Sequence, residues 1–340
     1  MGAAVLPVAA PAPRLTDGFG REITYLRLSV TDRCDFRCVY CMAEDMRFLP
    51  RDAVLTLEEM ERLARVFVAL GIRKIRLTGG EPLVRRGLPE LVEGLGALSG
   101  LETLAMTTNG ARLAPVARRL RAAGLRQVNI SLDSLDPARF RELTRTGELA
   151  DVLAGIDAAV AAGFPRIRLN SVVLRGRNED EVPALVAYAR RLGVDLAFIE
   201  EMPLGVISEH DRRLAHVPGR ELLAMVARAH ELLPDDSQEV GGPARYHRLA
   251  GSRTRVGVIT PHSHNFCASC NRVRLTAEGR LLLCLGHEHS LDLRAPLRDG
   301  ASDAELAGLV TAAMARKPER HEFSLDTAPQ IVRFMNMTGG

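Results

Sequence analysis

The six cysteines of this 340-residue chain fall into two triads whose spacing is that of ligand sets. Cys34, Cys38 and Cys41 form C-x3-C-x2-C in "TDRCDFRCVYC", and Cys267, Cys270 and Cys284 form C-x2-C-x13-C in "FCASCNRVRLTAEGRLLLC". The N-terminus has no basic leader ahead of its apolar part, so a disulfide framework is not expected, and clustered thiols in a reducing compartment favour metal or cluster binding. Three thiolates in a short loop can hold three irons of a four-iron cluster and leave the fourth iron open to an outside ligand. Zinc with a borrowed fourth donor is the competing chemistry, and His262, His264, His287 and His289 stand near the second triad. The C-x3-C-x2-C spacing is unlike the paired C-x2-C hooks of zinc knuckles. Arg272 and Arg274 lie two apart, and a fixed pair of guanidinium forks on one strand face suits a polyphosphate.

Composition sets the weight of such readings. Lys occurs only at Lys74 and Lys317 against a Lys plus Arg total of 45, so a lone Arg says little and a retained Lys says more. Hydrophobic residues make up 46%, charged residues 26%, and Trp is absent, an ordinary globular composition. No run approaches the ~20 apolar residues of a membrane span. A net charge of +3 is too small to call for nucleic acid or a membrane surface as partner.

The elements that must carry the triads read as an α/β fold. Strands are expected at Thr24–Thr31, Ile72–Thr78, Leu101–Thr107, Gln127–Asp133, Ile167–Leu174 and Asp195–Met202. Helical patterns such as "TLEEMERLARVFVAL", "APVARRLRAAG" and "EDEVPALVAYARRLG" lie between them. Thr56 with Glu59 makes a capping box, and Gly124 and Gly193 suit helix ends. The strands alternate: Leu26, Leu28 and Val30 oppose Arg27, Ser29 and Thr31, while Val128, Ile130 and Leu132 oppose Asn129, Ser131 and Asp133. Parallel strands buried on both faces would be apolar throughout. A curved parallel sheet with its apolar face under helices and its polar face lining a cavity explains the alternation better than a flat doubly wound sheet. Six βα units then make a partial (β/α)6 TIM-type barrel, with the first triad at the C-terminal end of its first strand, where such folds place active-site loops. Residues 1–20 read as a disordered arm, 21–205 as the partial barrel, and 206–340 as a β-rich, cluster-binding region that closes it. That region is expected to hold a helix from about Arg220 to Leu233, a hairpin turning at "AEG" that folds Cys284 back beside Cys267 and Cys270, and a helix near Ser302–Arg316.

On these residues the chain resembles a known family. "CDFRCVYC" is similar to the radical S-adenosylmethionine (SAM) signature, and "TGGEPLVRR" to the GGEP motif of that superfamily. Together with "LRLSVTDRCDFRCVYC", "TTNG", "VNISLD", "FIEEMPLG", "CNRVRLTAEG" and "NMTGG", they resemble the GTP 3′,8-cyclase family, or molybdenum cofactor biosynthesis protein A family, from about Thr24 to the last residue given. The resemblance implies two [4Fe–4S] clusters, one held by Cys34, Cys38 and Cys41 with SAM on its open iron, and an auxiliary one held by Cys267, Cys270 and Cys284 whose open iron meets the guanine base. It implies SAM contacts at Tyr40, Gly80, Ser131 and Met202. It implies GTP contacts at Arg27, Arg76, Thr107, Arg168, Arg272 and Arg274, with Lys74 added. The implied reaction converts GTP to 3′,8-cyclo-7,8-dihydro-GTP: a 5′-deoxyadenosyl radical takes the ribose 3′ hydrogen, and the carbon radical attacks guanine C8. Gly339 and Gly340 match a tail that enters the active site.

Two positions depart from the family pattern. Arg168 stands where some members have Lys, and Ala197 where many carry Arg. Implied partners are a reductant such as a flavodoxin or ferredoxin, a downstream cyclic pyranopterin synthase, and a second copy in a homodimer, all in the cytoplasm. The alternatives are a radical SAM peptide maturase with an auxiliary cluster and a non-enzymatic zinc-binding scaffold. The arginines of "CNRVRLT" and the Gly-Gly pair have no reason to occur in the first, and anaerobic metal analysis separates the second.

Overall fold

The computed structural model describes residues 14–235, 242–325 and 331–339. Its frame is one twelve-stranded sheet: β1 Tyr25–Ser29, β2 Lys74–Thr78, β3 Thr103–Thr108, β4 Leu125–Ser131, β5 Arg166–Val172, β6 Asp195–Ile199, β7 Leu232–Pro234, β8 Ala244–Leu249, β9 Arg255–Ile259, β10 Arg272–Leu275, β11 Arg280–Leu282 and β12 Ser290–Asp292. The spatial order is β12-β11-β10-β1-β2-β3-β4-β5-β6-β9-β8-β7, so the sheet is open. Strands β1 to β6 run parallel in sequence order, and the C-terminal region adds β10 parallel to β1 and β9 parallel to β6. Antiparallel strands complete each flank, β11 and β12 beyond β10 and β8 and β7 beyond β9. The sheet therefore continues across the expected boundary at residues 205 and 206.

Side-chain alternation decides which face is wet. Leu26, Leu28, Ile75, Leu77, Val128, Ile130, Leu169 and Leu196 are fully buried under the helices. Burying each such side chain contributes about 1.5–3 kcal/mol. The other face carries Arg27, Arg76, Asn129, Ser131 and Arg168 toward the interior, as the alternation requires. The first helix, Leu57–Ala69, opens with the expected capping box, Thr56 accepting from the Glu59 amide and Glu59 accepting from the Thr56 amide. Gly193 ends the helix Val182–Leu192 in the left-handed conformation. Ser302 and Glu305 form a second capping box on the helix Asp303–Met314.

Two expectations are corrected. The helix expected to reach Leu233 ends earlier, spanning Gly219–Ala227, and Leu232–Pro234 form β7 instead. Pro234 is tolerated because β7 is an edge strand, where a missing N–H breaks no ladder. Residues 1–13 of the expected arm lie outside the described residues, but 14–20 are folded against the body. Leu15 is buried, its carbonyl accepts from the Ile23 amide at 2.7 Å, and Asp17 accepts from the Phe19 and Arg21 amides at 2.9 and 3.0 Å. This Asx-type turn explains the order. The Ala- and Pro-rich composition of the preceding residues hid it.

Candidate functional site

The first triad is positioned by backbone. The chain leaves β1, pairs once more through the Val30 amide to the Thr78 carbonyl at 2.9 Å, and enters the cysteine loop. The segment after β2 then grips that loop: the Gly80 amide donates to the Thr31 carbonyl and the Glu81 amide to the Arg33 carbonyl, both at 2.8 Å. A Cβ on Gly79 would stand 2.5 Å from the Thr31 oxygen, and one on Gly80 2.3 Å from the Arg33 oxygen. The paired glycines are thus needed for close approach to the cysteine loop itself. Glu81 fixes the next loop by accepting from the Leu83 amide, the Thr108 hydroxyl and the Asn109 amide at 2.9, 2.7 and 2.6 Å, while burial pushes its carboxyl up to about 7. A Gly80→Ala variant is expected to lose about 1–3 kcal/mol of stability through overpacking against backbone. Denaturant unfolding and an iron count after anaerobic reconstitution check it, with iron at the first triad lost in parallel.

The second triad is built by a turn and a hairpin. Cys267–Ser269 form a single 3₁₀ turn, with the Cys270 amide donating to the Cys267 carbonyl at 3.0 Å. Strands β10 and β11 pair Arg274 with Leu282 and Leu275 with Leu281, which returns Cys284 to the same place. All six cysteines line one cavity of about 280 Å³. Tyr40, Gly80, Ser131 and Met202 line it too, as do Arg27, Thr107, Arg168, Arg272 and Arg274.

The donor sets fit clusters better than single ions. Among the described residues, no three or more His, Cys, Asp or Glu side chains are placed to hold one metal ion. His262 Nε2 is bonded to the Glu201 carbonyl at 2.8 Å and His287 Nε2 to the Arg320 carbonyl at 3.0 Å, which leaves each ring its Nδ1 alone. Three thiols ringing a cavity suit a polynuclear group, in which each iron takes its own sulfur.

The two triads differ in electrostatics. Burial pushes the Cys34, Cys38 and Cys41 thiols up, Cys41 to about 12, and neighbouring thiols and carboxylates add to the push on Cys34 and Cys38. These thiols ionise when a cationic group arrives. Burial also raises Cys270, but the Arg272 guanidinium and the Lys317 ammonium outweigh it and hold that thiol at about 7.

Below the cysteines, toward the starts of the strands, lies a second chamber of about 250 Å³ lined by Arg27, Arg73, Lys74, Arg76, Arg168 and Arg272. Glu102 is the one carboxylate lining it among the described residues. Burial lowers the Arg27 guanidinium to about 10, and burial with Arg27 and Arg272 nearby holds Arg274 well below its ordinary value. Burial raises the Tyr25 phenol, yet Arg76, Arg27 and Lys74 bring it down to about 7. So much positive charge converging on one chamber makes an anion site. Arg76 is held by three bonds, to the Tyr25 hydroxyl at 2.7 Å, the Met106 carbonyl at 3.0 Å and the Thr107 hydroxyl at 3.5 Å. Arg27 and Arg274 converge on the Gly339 carbonyl, at 3.1–3.2 and 2.6 Å. Gly340 lies outside the described residues. Ala197 is buried against Ala244, Tyr246 and Ile259, and the Tyr246 hydroxyl accepts from Arg168 at 2.8 Å.

The structure divides the expected residues between two chambers: Lys74 and Arg76 line only the lower, Thr107 and Arg274 only the upper, and Arg27, Arg168 and Arg272 both. Sequence reasoning placed Asp133 on the polar face but gave it no role. It accepts from the Tyr40 hydroxyl at 2.6 Å and the Val172 amide at 2.8 Å, and burial pushes it up to about 6. The available signal was an acid ending the polar face of "VNISLD". Sequence reasoning missed the placement of Lys317 beside the second triad, although that residue's rarity had marked it.

Comparison with known proteins assigns the arrangement. Residues 28–189 match the Radical SAM superfamily, and residues 194–323 match the family Molybdenum Cofactor Synthesis C. GTP 3′,8-cyclase of Marinobacter nauticus is 62% identical over 97% of this chain and 100% of its own. GTP 3′,8-cyclase 1 of Pseudomonas aeruginosa is 63% identical over 95% of this chain and 98% of its own. Among solved structures, Streptococcus suis SuiB bound to S-adenosylmethionine has a similar fold, with a TM-score of 0.59 at 13% identity over 91% of this chain and 77% of that one. Identity sustained over nearly the whole length, on a sheet that brings both cysteine triads to one cavity, establishes that the chain belongs to the GTP 3′,8-cyclase family of radical SAM proteins.

Proposed function

We propose that this chain converts GTP to 3′,8-cyclo-7,8-dihydro-GTP in molybdenum cofactor biosynthesis, with SAM and two [4Fe–4S] clusters as cofactors. The observation that carries the reading is the one cavity holding two cysteine triads above a chamber lined by arginines. Cys34, Cys38 and Cys41 would hold the SAM-binding cluster, which would supply the hydrogen-abstraction chemistry. The chain's own residues hold and orient. Tyr40, Gly80, Ser131 and Met202 form the wall beside the first triad, where SAM is to lie. Asp133 fixes the ring of Tyr40 through its hydroxyl.

Arg27, Arg272 and Arg274 grip the phosphates from the β1–β10 side, with Lys74, Arg76 and Arg168 below and Thr107 held by Arg76. That Arg27 and Arg274 already share one oxygen acceptor is the geometry a phosphate oxygen requires. Cys267, Cys270 and Cys284 would hold the auxiliary cluster, whose open iron would offer the base a ligand position. Fixing both ends of the nucleotide keeps the ribose at the level of the radical source, and such positioning is the main catalytic contribution left to the protein. The reductant is a flavodoxin or ferredoxin, the product passes to a cyclic pyranopterin synthase, and the enzyme works in the cytoplasm as a homodimer. No described helix is long and apolar enough to cross a membrane.

Anaerobic incubation with reductant, SAM and GTP tests the reading. The expected result is 5′-deoxyadenosine and a cyclised nucleotide, both dependent on GTP, from protein carrying about eight irons with sulfide. Deoxyadenosine formation indifferent to GTP, with no nucleotide consumed, favours the peptide-maturase alternative. Zinc without sulfide favours the scaffold.

A further inference from the structure

Lys317 is one of two lysines in a chain that otherwise writes its cations as arginine, and the positioning of phosphates does not use it. It follows the helix Asp303–Met314, its amide donating to the Met314 carbonyl at 3.1 Å, and it is 3% exposed. Its three ammonium hydrogens have three acceptors: the Leu283 carbonyl at 2.5 Å, the Arg272 carbonyl at 2.9 Å and the Cys270 sulfur at 3.8 Å. Leu283 immediately precedes Cys284, and Arg272 lies two residues after Cys270. The ammonium therefore ties together the two chain segments that must converge for the triad to exist. Among the described residues, no carboxylate pairs with it. A buried cation without a counter-charge is strongly unfavourable. The negative charge within reach is that of the thiolates, and carbonyl dipoles alone could have been satisfied by a neutral donor.

A second cation supports the same corner from outside. Arg21 donates to the Cys267 carbonyl at 2.8 Å and to the carbonyls of Pro318 and Glu319 at 2.7 and 2.6 Å, so the residues following Lys317 are fastened to the first cysteine of the triad. At the first triad the Arg37 guanidinium donates to the Cys34 carbonyl at 2.7 Å, while the charged neighbours that shift the Cys34, Cys38 and Cys41 thiols are acids and thiols.

We infer that Lys317 is a positioning residue of the C-terminal cluster, its ammonium serving as fixed counter-charge to the Cys267, Cys270 and Cys284 thiolates and setting the cluster's reduction potential above that of a Lys317-neutral protein. The inference rests on the reading of that triad as a cluster site. A fixed positive charge stabilises the more negative, reduced form, so removing it makes the cluster harder to reduce.

The test is an EPR-monitored redox titration of the full-length chain with its first triad replaced by alanine, so that the C-terminal cluster alone is read, with iron counted on the same samples. Lys317→Gln keeps hydrogen-bond donors and removes the charge, while Lys317→Arg keeps both. The expected result is a reduction equilibrium at least tenfold less favourable in Lys317→Gln, ~59 mV for a one-electron couple, with Lys317→Arg closer to the parent. Loss of the cluster in Lys317→Gln but not in Lys317→Arg supports the same assignment. A Lys317→Gln protein with full iron and an unshifted potential overturns it, as does equal loss or an equal shift in both variants. A parent that holds no cluster at this triad refutes the cluster reading itself and is recognised before any Lys317 variant is compared.

Discussion

Replacing Cys284 with serine is expected to abolish nucleotide cyclisation while leaving part of the SAM cleavage activity. Cys284 reaches its partners only because β10 and β11 fold back on each other, and the first triad sits on a separate loop after β1. Loss of one auxiliary ligand therefore leaves the radical source standing. Changing residues that merely support a metal ligand typically costs 10–100-fold in affinity or activity. Loss of a ligand should reach about a hundredfold or more in GTP conversion. The measurement is paired: 5′-deoxyadenosine and cyclised nucleotide from the same anaerobic reaction. Cyclisation at the parent rate in Cys284→Ser would show that ligation by Cys284 is dispensable.

The second large effect is expected from Arg27→Ala and Arg274→Ala. Both guanidiniums are half-buried beside β1 and β10, register partners at the centre of the interior, and both converge on one oxygen in this structure. Hydrogen bonds to charged groups are worth about 1.5–3 kcal/mol. Each substitution should therefore weaken GTP binding roughly tenfold to a hundredfold. Because the two share an acceptor, the double variant should fall short of the product of the single effects. Equilibrium binding of GTP to the reconstituted enzyme checks this. Unchanged affinity in both single variants would place the phosphates elsewhere.

How far the sequence reached depends on what each signal rests on. Period-two alternation placed Arg27, Arg76, Ser131 and Arg168 on one face because the pleat allows nothing else once Leu28, Ile75 and Ile130 are buried. The hairpin returning Cys284 was legible from "TAEGR" for the same local reason: Gly279 adopts the left-handed conformation the turn needs. What escaped notice was set by contacts distant in sequence. Nothing near Arg220–Leu233 announces that Leu232–Pro234 will pair with β8, and nothing near Asp17 announces that Arg21 will reach residues 318 and 319. The split of the interior into two chambers was invisible too. It depends on how far each side chain stands from the starts of the strands, whereas alternation reports only the face.

The pairing of β10 with β1 has a consequence for biogenesis. Thr24 and Asn271 are 247 positions apart yet joined by a side-chain hydrogen bond at 2.9 Å. At a translation rate of about 5–20 residues per second, the edge of β1 waits roughly ten to fifty seconds for its partner to be synthesised. During that interval Cys34, Cys38 and Cys41 can exist only on a half-built wall, beside an unpaired strand edge of the kind that recruits other chains. Metal acquired then would sit in a site open to oxygen. The completed sheet is thus the point at which iron can be loaded under cover, and a ribosome that stops before Arg272 releases a chain with exposed thiols and a sticky edge.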